Sequence, residues 1–91
     1  MYRVILESED GTEHVFIKGV SRLTAIDYVE SIADVYNELY DDACQNSKLL
    51  GVFLPTVKMV SGAGEVYLQS KKIGRIYCEE ISVIQDHFHV R

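Results

Sequence analysis

The sequence predicts an α+β fold for a single domain over residues 1–91, in the order ββαβββ, with one long amphipathic helix packed on one face of an antiparallel sheet. Three observations carry this. Two alternating segments flank Asp10-Gly11, helical apolar periodicity runs from Leu23 to about Ala43, and strand-like runs separated by turn residues follow. The composition agrees: 47% of the 91 residues are hydrophobic, 25% are charged and only one is proline, which leaves no linker, repeat or low-complexity stretch. A chain this short buries roughly 60–65% of its unfolded surface, so its core is thin.

The first two strands are "YRVILES" and "TEHVFIK". Asp10-Gly11 between them signals a two-residue type I′ turn. That turn pairs Leu6 with Val15 and Val4 with Ile17, and these four with Tyr2 form the apolar face. Glu7 opposite His14, Ile5 opposite Phe16 and Arg3 opposite Lys18 form a mixed, wet face. Ser21 then supplies an N-cap hydroxyl. Ala25, Val29, Ile32, Tyr36, Leu39 and Ala43 recur at helical spacing as the core stripe, widened by Ala33 and Tyr40.

"QNSKLLG" ends the helix, with Gly51 at a stop position. In an alternative, the first helix ends near Tyr40 and Asp41 or Asp42 caps a short second one, "ACQNSKLL". "VFLPTVKMV" reads as a strand that Pro55 assigns to a sheet edge or a bulge. "SGAG" is a turn, "EVYLQS" a strand and "KKIG" another turn. In "RIYCEEISVIQDHFHV", Ile76, Cys78, Ile81 and Val83 share a face only if Glu79-Glu80 forms a bulge.

Composition narrows the function. The net charge is −5, against direct nucleic-acid binding and against docking on anionic membrane, both of which need a basic face. An acidic surface instead suits a basic protein partner. No signal peptide opens the chain and no 18-residue apolar run exists, so a cytoplasmic protein is expected, with Cys44 and Cys78 reduced.

No chemical motif points to an enzyme, a metal or a cofactor. His87 and His89 share one strand face, but a metal needs a third ligand and Asp86 points the other way. Cys44 has no flanking nucleophile signature. Ser61-Gly62-Ala63-Gly64 lacks the Lys-Ser/Thr ending of a phosphate loop. Glu79 and Glu80 are solvated strand neighbours and not an acid–base pair.

The informative stretch is "TAIDYVESIADVYNELYDDACQN", which carries six acids and no Lys or Arg. Asp27, Glu30, Asp34, Glu38 and Asp41 fall at spacings of 3, 4, 4 and 3 and lie on one face. Like charges at i, i+4 cost a few tenths of a kcal/mol each, and a purely solvating helix gains more by interspersing Lys. Asp41 and Asp42 also lie at the unfavourable end of the helix dipole. The expected carboxylate spacing of about 5–6 Å is of the same order as that of successive phosphates along a nucleic-acid strand.

The site expected from sequence is therefore a partner-docking face made of Asp27, Glu30, Asp34, Glu38 and Asp41, with Tyr28 and Tyr40 exposed on its flanks. Its partner would be a basic protein, with a nuclease or a nucleic-acid-binding complex as the leading candidates. Small acidic domains without catalytic motifs include phage-encoded inhibitors of host defence and immunity proteins, an analogy of class that no motif carries. Two other readings compete. One is a structural module or homodimer formed by strand addition or through Ile5 and Phe16. The other is a small-ligand binder with a cleft near His87, His89 and Cys44.

Overall fold

The structure is a computed structural model and describes residues 1–81. Its elements are β1 (Tyr2–Ser8), β2 (Glu13–Val20), α1 (Arg22–Asn46), α2 (Lys48–Gly51), β3 (Thr56–Val60), β4 (Ala63–Leu68) and β5 (Lys71–Glu80). The five strands form one antiparallel sheet in the order β2-β1-β5-β4-β3, with α1 packed on one face. This is the α+β, ββαβββ architecture expected from sequence. The last strand is the central one. β5 pairs with β1 on one side and β4 on the other, and so joins the N-terminal hairpin to the C-terminal strands.

The core lies between α1 and the sheet. Ala25, Val29 and Ala33 of the helix meet Val4, Val57, Val66 and Ile76 of four strands. Ser21 caps the helix as expected, its hydroxyl oxygen accepting from the Thr24 amide at 3.2 Å. The helix is longer than its periodicity predicted. It runs unbroken through Asp41 and Asp42 to Asn46, so neither aspartate caps a second helix, and α2 begins only at Lys48. The last turn is held by the Asn46 side chain donating to the Asp42 carbonyl and the Ser47 amide donating to the Ala43 carbonyl. Leu39, expected in the core stripe, is 54% exposed.

The hairpin departs from its predicted register. The Gly11 amide donates to the Ser8 carbonyl and the Ser8 amide to the Thr12 carbonyl. The positive φ falls on Gly11 alone, at +88°. The connection is therefore a three-residue loop whose third residue is left-handed, and not a two-residue turn. Asp10 stabilises it by accepting from the Thr12 amide at 2.9 Å.

Arg3↔Lys18 and Val4↔Ile17 pair as expected, but Phe16 and Gly19 are each an extra residue in β2. Past Phe16 the pairs become Ile5↔Val15, Leu6↔His14 and Glu7↔Glu13, in place of Leu6–Val15 and Glu7–His14. The bulge moves Val15 to the open face of the sheet, where it is 41% exposed. Ile5, expected on a wet face, is fully buried.

Three further expectations are corrected in the C-terminal half. The β4–β5 turn is Gln69-Ser70, not "KKIG", and both residues have positive φ without being glycine. The β1–β5 register is continuous through Glu79 and Glu80, with no bulge between them. The irregularity lies instead between Val66 and Tyr67, where β5 has the extra residue Ile73. Pro55 does precede an edge strand, but that strand spans only Thr56–Val60, and Val52 and Phe53 lie outside it, exposed. Val83 falls outside the described residues.

Both sheet edges carry features that hinder strand addition. On β3, the Asn37 side chain donates to the Val57 carbonyl at 2.9 Å and accepts from the Val57 amide at 2.8 Å. It thereby occupies the outward backbone pair that another strand would use. On β2, the bulges at Phe16 and Gly19 break the ladder geometry.

Asn37→Ala is expected to lower stability by about 1–2 kcal/mol through loss of both bonds. In urea denaturation the midpoint falls, and the Val57 amide exchanges faster by hydrogen–deuterium exchange. Gly74→Ala is expected to cost about 1–3 kcal/mol by the same denaturation measurement, because an added Cβ would lie 2.7 Å from the Glu7 carbonyl oxygen.

Candidate functional site: an acidic helix face

The sequence puts 25 residues in α1 with a single basic one, Arg22, at its first position. Packing of Ala25, Val29 and Ala33 onto the sheet fixes the helix rotation, and every acid turns outward as a result. Asp27, Glu30, Asp34, Glu38 and Asp41 are all exposed. At 3.6 residues per turn they lie within an arc of about 80° and extend along about 21 Å of axis. The structure thus brings together all five carboxylates expected from sequence, and Asp42 adds a sixth at the edge of the arc.

The two tyrosines differ from expectation, since both are half-buried. Tyr28 packs against the core and lies 6.3 Å, centroid to centroid, from the Phe16 ring. Tyr40 lies against Gly51 and Cys44. Its ionisation is pushed above the usual tyrosine value, first by a hydrogen bond with Cys44 and then by charge on that thiol, with burial and Asp41 adding to it. The exposed apolar residues beside the acids are instead Val35 and Leu39, 51% and 54% exposed. Leu39 was expected in the core stripe, and the packing of α1 leaves it outside.

Five of the chain's nine Lys and Arg residues lie on the opposite surface, among four glutamates. Strand pairing places Arg3, Lys18, Lys58, Lys72 and Arg75 on the face of the sheet that α1 does not cover. One row crosses all five strands there, as Glu13–Glu7–Arg75–Glu65–Lys58. Two ion pairs form among the described residues, Arg3–Glu79 at 3.3 Å and Lys72–Glu65 at 3.1 Å, and both are on this open face. Lys72 holds the Glu65 carboxyl below its usual value, chiefly through its hydrogen bond. The helix carboxylates take no part in either pair.

The middle of the open face is Ile5 between Val15 and Tyr77. The Arg75 guanidinium carbon sits 4.2 Å from the Tyr77 ring centroid. These contacts cover Ile5, which explains how a residue away from the helix becomes fully buried.

Metal and ligand chemistry has little to build on. Among the described residues no group of three or more His, Cys, Asp or Glu could hold a metal ion. His87, His89 and Asp86 lie outside the described residues. An open cleft of about 530 Å³ lies at the C-terminal end of α1, bounded by Tyr40, Lys58, Tyr67 and Gln69. No helix among the described residues is long and apolar enough to cross a membrane.

Comparison of the chain with protein-family models, with curated proteins and with solved structures finds no match. The functional reading therefore rests on the charge and shape of this surface.

Tyr77 gives a pH test of the open face. Burial first, then the charges of Glu7, Glu13 and Glu79, raise its ionisation above the usual 10.0, with Arg75 opposing. The folded state holds this proton more tightly than the unfolded chain, so its contribution to stability is complete below pH 10 and is lost as pH rises through the folded value. Tyr77→Phe is expected to flatten the fall in stability above pH 10, measured by chemical denaturation at a series of pH values.

Proposed function

We propose that this chain is a non-enzymatic acidic binding protein that docks the outer face of α1 onto a basic, nucleic-acid-binding surface of a partner protein in the cytoplasm. The observation that carries this is the uncompensated negative charge of α1. Five aligned carboxylates stand exposed along about 21 Å of helix, while five of the chain's nine Lys and Arg residues lie on the far side of the sheet. A face meant only to solvate would gain from i, i+4 pairs with Lys, and α1 has none. The arrangement suits electrostatic steering toward a positive groove, with fast and salt-sensitive association. A nuclease or other nucleic-acid-binding complex has such a groove because its own ligand is a line of phosphates. A phage anti-defence protein and an immunity protein would both use a surface of this kind.

The strand-added homodimer receives less support, because Asn37 occupies the β3 edge and two bulges break the β2 edge.

The test is charge reversal. Glu30→Lys with Asp34→Lys changes two exposed positions, so the fold is expected to survive by circular dichroism. Partner capture from a host lysate at low salt is expected to fall about tenfold or more, as is capture of the unaltered protein at high salt. Capture that is indifferent to both salt and charge reversal would falsify the reading.

A further inference from the structure

A sheet of five strands at about 4.8 Å spacing is roughly 19 Å wide. One α-helix is about 10–12 Å across with its side chains. One helix cannot cover such a sheet. The main contacts of α1 run over β3, β1, β5 and β4, so among the described residues the β2 side of the helix-bearing face is left open. A groove of about 320 Å³ results there, lined by Phe16, Tyr28, Ser31, Ile32, Val35 and Tyr36. Phe16 faces it because the bulge turns that residue out of the ladder. The ring is braced edge-on by His14 at 5.0 Å and, at a tilt, by Tyr28 at 6.3 Å.

We infer that this groove is the seat of an amphipathic, basic α-helix of the partner protein, laid beside α1 on the same face of the sheet. The inference deepens the proposed function by naming the partner's element, and it rests on that reading. Two observations select the occupant. The bulges at Phe16 and Gly19 deny a strand the regular ladder it would need on β2, so the occupant binds by side chains, as a helix in a groove does.

The second observation is charge. On the helical wheel, the groove residues Val35 and Tyr28 adjoin the side of the acidic arc that carries Asp27, Glu38 and Asp42, while Glu30 lies on its far side. A helix seated there places apolar residues at i, i+3 and i+7 against Phe16, Ile32 and Val35. Its Lys and Arg residues on the adjoining flank then face Asp27, Asp34 and Glu38. The apolar anchors supply the affinity and the charges supply orientation and rate.

The experiment uses the full chain and a synthetic helical peptide of about five turns, with leucines at i, i+3, i+7 spacing and lysines and arginines along one flank. Binding is followed by fluorescence anisotropy. The unaltered protein is expected to bind it, and to lose most of that binding when the leucines are replaced by serines. Val35→Asp is the deciding variant, since Val35 is half-exposed and the change adds a negative charge. Docking in the groove predicts binding weaker by about tenfold, whereas charge attraction alone predicts binding that is unchanged or stronger. Ser31→Glu repeats the test at a second exposed groove position should Val35→Asp disturb the fold. Glu30→Lys, on the far flank, is expected to weaken binding less than about threefold and Glu38→Lys more than that.

Stronger binding by Val35→Asp and Ser31→Glu, or no binding of the peptide, overturns the groove and leaves the acidic face standing. Indifference to Glu38→Lys combined with Asp34→Lys overturns the acidic face itself. Concentration-dependent self-association in sedimentation velocity that Val35→Asp abolishes would assign the groove to a second copy of this chain and overturn the partner helix.

Discussion

The contact between α1 and the sheet is the constraint on which the rest of this structure depends. A chain of 91 residues has one sizeable apolar interface to form, and here it is built from small side chains. Ala25, Val29 and Ala33 let the helix approach Val4, Val57, Val66 and Ile76 closely. Each fully buried Val or Ile contributes about 1.5–3 kcal/mol, so a handful of residues supports the fold. The same contact fixes the rotation of α1 about its axis. Once the small residues face the sheet, the carboxylates must face away, and the exposed flank of Val35 and Leu39 is left over. Acidic face and open groove are two consequences of one packing choice.

The sheet's other features follow from the same economy of material. With a single long helix among the described residues, one face of the sheet has no covering layer there. It is made soluble by charges of both signs around a small centre of Ile5, Val15 and Tyr77, with like charges paired between β1 and β2 and opposite charges paired across β1, β5, β4 and β3. Opposite charges placed across strands are mildly stabilising and keep the face wet. The exposed edges are guarded without extra elements, by one asparagine on β3 and two bulges on β2. An acidic protein with guarded edges and a compensated sheet face has its uncompensated charge on α1.

Much of this was legible in the chain, and the failures have specific causes. Helix and strands announced themselves through periods of 3.6 and 2, and Ser21 through its place before an apolar run. The hairpin register failed because Asp10-Gly11 serves two turn types, and because the Phe16 bulge has no sequence signal. The β2 residues on the turn side of that bulge then exchanged faces, which misplaced Val15 and brought it beside Ile5, so that Ile5 is buried on the face expected to be wet. The Gln69-Ser70 turn was missed because neither residue is Gly or Asn, the usual markers of positive φ. Leu39 was assigned to the core because the apolar pattern of α1 is wider than the contact the sheet offers. Tyr28 and Tyr40 were placed outside because tyrosine is amphipathic and its burial is decided by neighbours, here Phe16 and Gly51.

The sequence by itself determined the element order, the amphipathic helix and the grouping of five carboxylates on one helical face. These depend on local periodicity, and local periodicity is written in the chain. Only the tertiary structure decided that β5 lies at the centre of the sheet, that Asn37 guards the β3 edge, that five of the basic residues lie on the opposite face, and that a groove remains beside α1. Each of these depends on which distant residues meet and on how wide a sheet one helix can cover, and no short stretch of sequence contains that information.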